Sequence, residues 1–438
     1  MPESRPLTAV SLFAGVGGCC RGVSAAGFDV RVAVESDPAA CQTLAANASG
    51  NLIFASDIRY FMGQHADVHR RRYCLGDVDL VVGGPPCQGH SAAGQRDARD
   101  PRNGLWRQFA RVVGELRPKA IMLENVPGLL QTDQGRLTAE ILATFRSAGY
   151  CNAYIHRLDA VDFGIPQTRK RIFILATRDD VPLSAPLAAL FRDGLRRAHR
   201  PRVSVTEAIG DLPGEAWDSG HEPMQYPQPA MSGYAREMRR GVQMLTHHHT
   251  KAICADRRRA IIAALAQGED GSSLPPELFS GSRGTKWRRL HPHRPSPTIL
   301  SNASRDLSSW IHPVHPRFLT VREAARLQGF PDLFQFPCSE SAALRQIGNA
   351  VPPALAQAVA RVLAQALRAG EGPPLKRGRP PIGERAQTGA ERRRTWRNRN
   401  KIGTLELPAD VLLLIRQKAE AVGLTMAAVV EAAIKTGC

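Results

Sequence analysis

The sequence predicts a doubly wound α/β fold, interrupted by an irregular basic insertion and followed by a small α-rich C-terminal module. Three observations carry this. Across residues 1–177 short apolar runs alternate with stretches of helical spacing, the pattern of a sheet covered on both faces. From about 178 to 290 the pattern degrades, with frequent Pro and Gly and weak periodicity. Regular texture returns near 316 and closes on an Ala-rich helix, PALAQAVARVLAQAL (353–367).

At 438 residues, with 43% apolar and 22% charged residues, the chain is ordinary globular material with room for two to three domains. Its charge is unusual: 58 Lys and Arg against 40 Asp and Glu, a formal +18. Such a balance points to a polyanionic partner. Nucleic acid is preferred to a membrane, because no run approaches the ~20 apolar residues of a spanning helix. The start, MPESRPLTAVSLF, does not read as a signal peptide. Nine scattered cysteines (19, 20, 41, 74, 87, 151, 254, 338, 438) without a C-x-x-C pair read as reduced thiols, not as a disulfide frame or a zinc site. The expectation is a cytoplasmic protein that handles nucleic acid.

In chain order, VSLF (10–13), VRVAV (30–34), VDLVV (78–82), AIMLE (120–124) and RIFIL (171–175) read as parallel strands buried on both faces. GLWRQFARVVGELR (104–117) and LTAEILATFRSAG (137–149) read as covering helices. Phe13-Ala14-Gly15-Val16-Gly17-Gly18 follows the first strand and opens a helix, allowing close backbone approach of a ligand. It is not the dinucleotide fingerprint, whose third glycine would fall at Cys20. Glu35 ends the next strand, where a carboxylate accepts from ribose hydroxyls, and Asp57 in Ser56-Asp57-Ile58 suits an exocyclic adenine amine. Two acids beside a glycine loop, with no Lys for phosphate, suit S-adenosylmethionine. A tight glycine turn of some other α/β protein reads equally well on these residues alone.

Gly83-Gly84-Pro85-Pro86-Cys87-Gln88 follows VDLVV at the carboxyl edge, and its two prolines fix the direction of the thiol. The next segment, GHSAAGQRDARDPRNG (89–104), has the composition of a mobile lid. Glu124-Asn125-Val126 ends another strand on the same edge. Gln167-Thr168-Arg169-Lys170-Arg171 places Arg169 and Arg171 on one side at extended spacing. A thiol, a carboxylate and a guanidinium thus converge on one small planar ligand, or Glu124 and Arg171 form a structural ion pair.

The ordered set FAGVGG, Glu35, Asp57, PPCQ, ENV, QTRKR, REAARLQGFPD (322–332) and QIGNAVPPALA (346–356) resembles the DNA (cytosine-5)-methyltransferase family over residues 7–368. The resemblance implies a Rossmann-like S-adenosylmethionine-dependent sheet split into 1–177 and 301–370, with a smaller, irregular target-recognition domain at 178–300. The final helix would return beside the first strand. It implies base flipping of a cytosine in double-stranded DNA. Cys87 would be the nucleophile at carbon 6, and Glu124 would hold and protonate N3. Arg171, with Arg169 near it, would meet O2 and orient Glu124. Phe13, Gly15, Gly17, Glu35, Asp57, Pro86 and Asn349 match the family's S-adenosylmethionine contacts, and no metal is expected. Two positions depart from the pattern: Ser11 stands where many relatives have Asp, and His90 replaces the usual Phe.

His247-His248-His249 lacks ligand spacing for a metal and reads as a polar face at or near nucleic acid. Residues 371–401 hold ten Lys and Arg against three Glu and read as a disordered basic linker. Within it Lys376-Arg377-Gly378-Arg379-Pro380-Pro381 resembles an AT-hook or is a plain basic linker, and Trp396 offers stacking. Residues 402–438 read as strand, helix, Gly turn and helix, resembling a ribbon-helix-helix unit that dimerises and binds DNA; a helical hairpin used only for packing fits as well. The leading reading is a modification methyltransferase of a bacterial or phage system, located in the bacterial cytoplasm or nucleoid. An RNA methyltransferase and a non-catalytic DNA-binding regulator are its rivals.

Overall fold

Seven strands form the central sheet: β1 (Leu7–Leu12), β2 (Phe28–Glu35), β3 (Leu52–Ala55), β4 (Leu80–Gly83), β5 (Ala120–Asn125), β6 (Tyr154–Asp159) and β7 (Lys170–Thr177). Their order is β3-β2-β1-β4-β5-β7-β6. The computed structural model describes residues 5–48, 50, 52–86, 104–214, 223–249, 256–279, 287–301 and 310–370. Cys87, His90, most of the lid-like stretch, the basic linker and the module at 402–438 lie outside the described residues.

All five expected strands are present, and two more, β3 and β6, form the edges of the sheet. These two are largely half-buried, so neither is sealed on both faces as the central strands are. One expectation is corrected. The sheet is not wholly parallel, because β7 runs antiparallel to both β5 and β6. Only residues 160–169 link β6 to β7, too few for a crossover helix, so the chain turns back on itself.

The helices are α1 (Gly18–Ala25), α2 (Pro38–Asn47), α3 (Ala66–Arg72), α4 (Leu105–Leu116), α5 (Arg136–Ser147) and α6 (Leu187–Ala198), then α7 (Val205–Ile209), α8 (Gly233–Met238), α9 (Asp256–Ala264), α10 (Val321–Leu327), α11 (Glu340–Asn349) and α12 (Pro353–Gly370). One sheet face is covered by α1, α6 and α12, with Leu355, Val359 and Leu363 of α12 fully buried among Leu7, Ala9 and Leu80. The other is covered by α4 and α5 through Trp106, Phe109, Val113, Ile141 and Phe145. Glu340–Ala369 has the length and composition to cross a membrane, yet 67% of its apolar window is buried inside the protein.

A third core joins α7, α10 and α11 through Val205, Ile209, Leu319, Phe330 and Ile347. The helix start at 321 is written in the sequence as Thr320-x-x-Glu323. Thr320 Oγ1 accepts from the Glu323 N–H at 3.1 Å, and Glu323 Oε2 accepts from the Thr320 N–H at 2.9 Å. A small fourth core gathers Ile261, Ile262 and Trp287 of the irregular basic region with Ile311 and Phe318 of the segment that follows it.

Candidate active site

Strand order reverses at the junction of β1 and β4, and the carboxyl ends of β1, β2, β4 and β5 carry the loops singled out above. After β1 the chain enters the left-handed region at Phe13 (φ 54°), Gly15 (φ 55°) and Gly17 (φ 87°). At Gly17 a side chain is excluded twice over, since a Cβ would also sit 2.6 Å from Leu44. Glu35 fixes this loop: its Oε2 accepts from the Gly15 N–H at 2.7 Å, and its Oε1 from Ser36 and Asp37 N–H at 2.8 Å each. Oε2 retains a lone pair for a further donor.

Asp57 follows β3 and caps a short 3-10 turn, accepting from the Arg59 N–H at 2.8 Å. The Arg59 guanidinium grips both its oxygens, at 3.0 and 2.8 Å, and these bonds hold its carboxyl below the ordinary range. Asn349, the last residue of α11, is exposed. These groups fit an adenosine-bearing cofactor by their chemistry: a glycine turn with left-handed backbone, a carboxylate held at a strand end, and a second one kept ionised. Ser11 is wholly buried in β1.

Glu124 ends β5 and is 8% exposed. Arg171, at the start of β7, donates Nε to Glu124 Oε1 at 2.9 Å. The antiparallel register makes this meeting possible, because it sets Glu124 opposite Phe173, two residues along β7 from Arg171. Burial pushes the Glu124 carboxyl up, against the pull of Arg171 and Arg169. Burial likewise lowers Arg171, with Glu124 opposing. Burial thus favours the neutral carboxyl, the form that can donate a proton, and Arg171 opposes it.

Gly84 leaves the space in which this carboxylate sits: a Cβ there would lie 2.7 Å from Glu124 Oε2. Asn125 then ties the next turn, donating Nδ2 to the Pro85 carbonyl at 3.1 Å and accepting from the Val126 N–H at 2.8 Å. Pro85 and Pro86 back onto an apolar crevice lined by Trp106, Leu129 and Ile141. The backbone leading to Cys87 is thus anchored to the strand that presents Glu124. Gly84 and Asn125 were quoted in the motifs without a role; their adjacency to Pro85 and Glu124 was the available signal.

Arg169 takes a different place from Arg171. It is 1% exposed and donates Nη1 to the Ile299 carbonyl at 3.1 Å, and Nη2 to the Gly348 and Ala350 carbonyls at 2.8 and 3.0 Å. The cause is a change of partner strand: Gln167–Thr168 pair with 296–297, whereas Lys170 onward pairs with β6. Gln167 and Gln328 complete this seam, joined at 2.6 Å, with Gln328 also donating to the Ala350 carbonyl at 2.6 Å. Sequence reasoning missed both glutamines, whose partners lie more than twenty residues away in the chain.

Four of the other described thiols are unsuited to nucleophilic work. Burial pushes Cys20 and Cys41 up to about 11 and raises Cys19 and Cys338. The histidine run is corrected from the polar face expected of it. His248 is fully buried, its ring nitrogens at 2.8 Å from the Pro213 carbonyl and 3.2 Å from Thr320 Oγ1. His247 packs edge-on to Phe336. Among the described residues no His, Cys, Asp and Glu gather as a metal site.

An α/β sheet with one reversed strand beside the edge, a glycine turn after β1 and a buried carboxylate–guanidinium pair after β5 defines a methyltransferase class of fold and site. The profile of the C-5 cytosine-specific DNA methylase family matches residues 7–365. The chain is 33% identical over 434 residues to the type II methyltransferase M.AgeI of Thalassovita gelatinovora, covering 82% of this chain and 99% of that protein. It is also 33% identical over 377 residues to M.DdeI of Desulfomicrobium norvegicum, covering 80% and 87%. A crystal structure described as a prophage-encoded DNA modification methyltransferase of E. coli superposes with a TM-score of 0.66 at 28% identity, covering 83% of this chain and 99% of that one. The chain belongs to the C-5 cytosine-specific DNA methylase family, a family of S-adenosylmethionine-dependent DNA cytosine-5 methyltransferases.

Proposed function

We propose that the protein methylates carbon 5 of one particular cytosine in duplex DNA through a covalent adduct on Cys87. The observation that carries this is the buried Glu124–Arg171 pair at 2.9 Å, one strand from the anchored Pro85-Pro86 turn that leads into Cys87. Carbon 5 of cytosine is too poor a nucleophile to accept a methyl group unaided. Addition of the Cys87 thiolate at carbon 6 forms the S–C6 bond and moves electron density to carbon 5. Glu124 delivers a proton to N3 and accepts from the 4-amino group, while Arg171 meets O2. S-adenosylmethionine, when bound, supplies the electrophilic methyl group. Once carbon 5 has bonded to the methyl group, a base takes its proton, the C–H electron pair re-forms the C5–C6 double bond and expels the Cys87 thiolate, and N3 returns its proton to Glu124. The cytosine must leave the duplex to reach this pocket.

Phe13, Gly15, Gly17 and Pro86 would line the cofactor, Glu35 would accept from its ribose, Asp57 from its adenine amine, and Asn349 would close the site. Arg169 then acts as a positioning residue, setting β7 against the segment that carries Asn349. The relatives' names as type II methyltransferases support a modification role, with or without a partner nuclease, in a bacterial cytoplasm. Residues 371–438 add, on this reading, a second DNA contact and a dimerising unit.

Transfer of a tritiated methyl group to duplex DNA and to tRNA, with wild type and Cys87→Ser, tests this. Wild type should label DNA and be trapped covalently by 5-fluorocytosine DNA, and Cys87→Ser should do neither. Labelling of tRNA alone, or full activity in Cys87→Ser, would overturn it.

A further inference from the structure

We propose that Arg196, Arg197, Arg200 and Arg202 form a cationic rim on the catalytic half that grips the phosphate backbone of the duplex beside the target cytosine. This rests on the DNA-methylating reading above and assigns it a contact surface outside the irregular basic region. The segment Arg196-Arg197-Ala198-His199-Arg200-Pro201-Arg202 holds four guanidinium groups and no acid in seven residues. All four are exposed.

Their placement is fixed by the fold. In α6 the residues Phe191 and Leu195 are buried against the sheet, which turns Arg196 and Arg197 outward in its last turn. Beyond the helix the chain is pinned to the loop between β6 and β7. The Arg200 N–H donates to the Asp162 carbonyl at 2.9 Å, Phe163 and Arg200 form a backbone bridge, and the His199 ring meets Phe163 edge-on at 5.4 Å. That same loop runs on into Arg169 and Arg171, so the rim is tied to the carboxyl edge that bears the site. Lys170 and Arg157 are exposed at the same end of the sheet, opposite and near Asp159.

Two of the four guanidinium groups meet an acid, each only weakly. Asp162 stands 3.8 Å from Arg202, and Glu237 3.4 Å from Arg200, both between exposed side chains and thus weak. Asp193 pairs with Arg192, and Asp159 accepts from the Arg169 N–H. Among the described residues no carboxylate lies within ion-pair distance of Arg196 or Arg197. Favourable interaction with a helix C-terminus accounts for cations in the last turn, but not for Arg200 and Arg202 beyond it. A cluster of exposed guanidinium groups on a backbone pinned beside this edge has the charge and donors of a phosphate contact.

The test is equilibrium binding of the full-length protein to duplex DNA across a salt series, with Arg196→Ala/Arg197→Ala and Arg200→Ala/Arg202→Ala. Each pair should weaken binding about tenfold near physiological salt. Each should also make the log–log salt slope shallower by about two, at ~0.9 per lost phosphate contact. S-adenosylmethionine affinity and melting temperature should not change. Wild-type affinity and slope in both folded variants would overturn the rim while leaving the methylation reading intact. A wild-type protein that neither binds nor methylates DNA would overturn both, and a slope change on tRNA but not on DNA would overturn the duplex assignment.

Discussion

Glu124 shows how one side chain is given its chemistry by its surroundings. Burial favours its neutral form, and the Arg171 guanidinium at 2.9 Å favours the ionised one. A carboxyl whose neutral form burial favours can donate to a base held against it, and its second oxygen can accept. Glu124→Gln keeps size, and keeps an acceptor for the 4-amino group, but cannot pass a proton to N3. Single-turnover methylation should therefore fall about 10²- to 10⁴-fold, the usual worth of a positioned acid. Cofactor affinity by calorimetry should hold, since Glu35 and Asp57 are untouched. A variant that methylates at the wild-type rate would show that Glu124 is only half of a structural ion pair.

At the scale of elements, the site depends on how β4 and β5 end side by side. Gly84 →Ala would drive a methyl group to 2.7 Å from Glu124 Oε2. The obstructing atom ends a side chain, so the fold can yield at modest cost, about 1 kcal/mol. The carboxylate can yield by turning about its bond to Arg171, which moves Oε2 out of the place it holds for the base. The melting temperature should thus move by a few degrees while kcat falls tenfold or more; unchanged kcat in the folded variant would refute this. The positions of Glu35, Glu124 and the Pro85-Pro86 turn were legible in the sequence because β1, β2, β4 and β5 are continuous apolar runs whose ends can be located. Arg169 was legible as a residue but not as a connection, since its carbonyl partners at 299, 348 and 350 lie far along the chain. His248 misled for a related reason: a histidine run is polar in composition, and only tertiary docking onto Pro213 and Thr320 reveals it as buried. The reversed β7 follows from the length of one loop, a signal that apolar runs do not contain.

At the scale of the whole molecule, the α10 segment and the irregular region are held together by a buried polar lock around Glu323. Arg317 donates to both Glu323 oxygens at 2.7 and 2.8 Å, and to the Gly214 carbonyl at 2.9 Å. Burial opposes charge on Glu323, but Arg317 outweighs it and holds the carboxyl far below its ordinary range. His312 lies 3.6 Å away with its Nε2 toward this carboxylate, while its Nδ1 accepts from the Val314 and His315 N–H groups at 3.1 and 3.0 Å. A nitrogen accepting two N–H bonds cannot also carry a proton, and burial reinforces this, lowering His312 to about 3. Its folded pKa is below the unfolded value of about 6.5, so the unfolded chain takes up a proton that the fold refuses. The resulting stability is present above the unfolded value and is lost as pH falls toward the folded one. Glu323, also depressed, adds its loss only further down, below the unfolded carboxylate range near ~4.3. Between pH 7 and 5 the histidine effect acts alone of the two and amounts to about 2 kcal/mol by pH 5. Denaturant unfolding at the two pH values should show a loss of that order in wild type. His312→Gln, which cannot titrate, should be less stable at pH 7 but markedly flatter across the same interval. An equally steep loss in His312→Gln would place the acid sensitivity elsewhere, with buried His248 the next group to substitute.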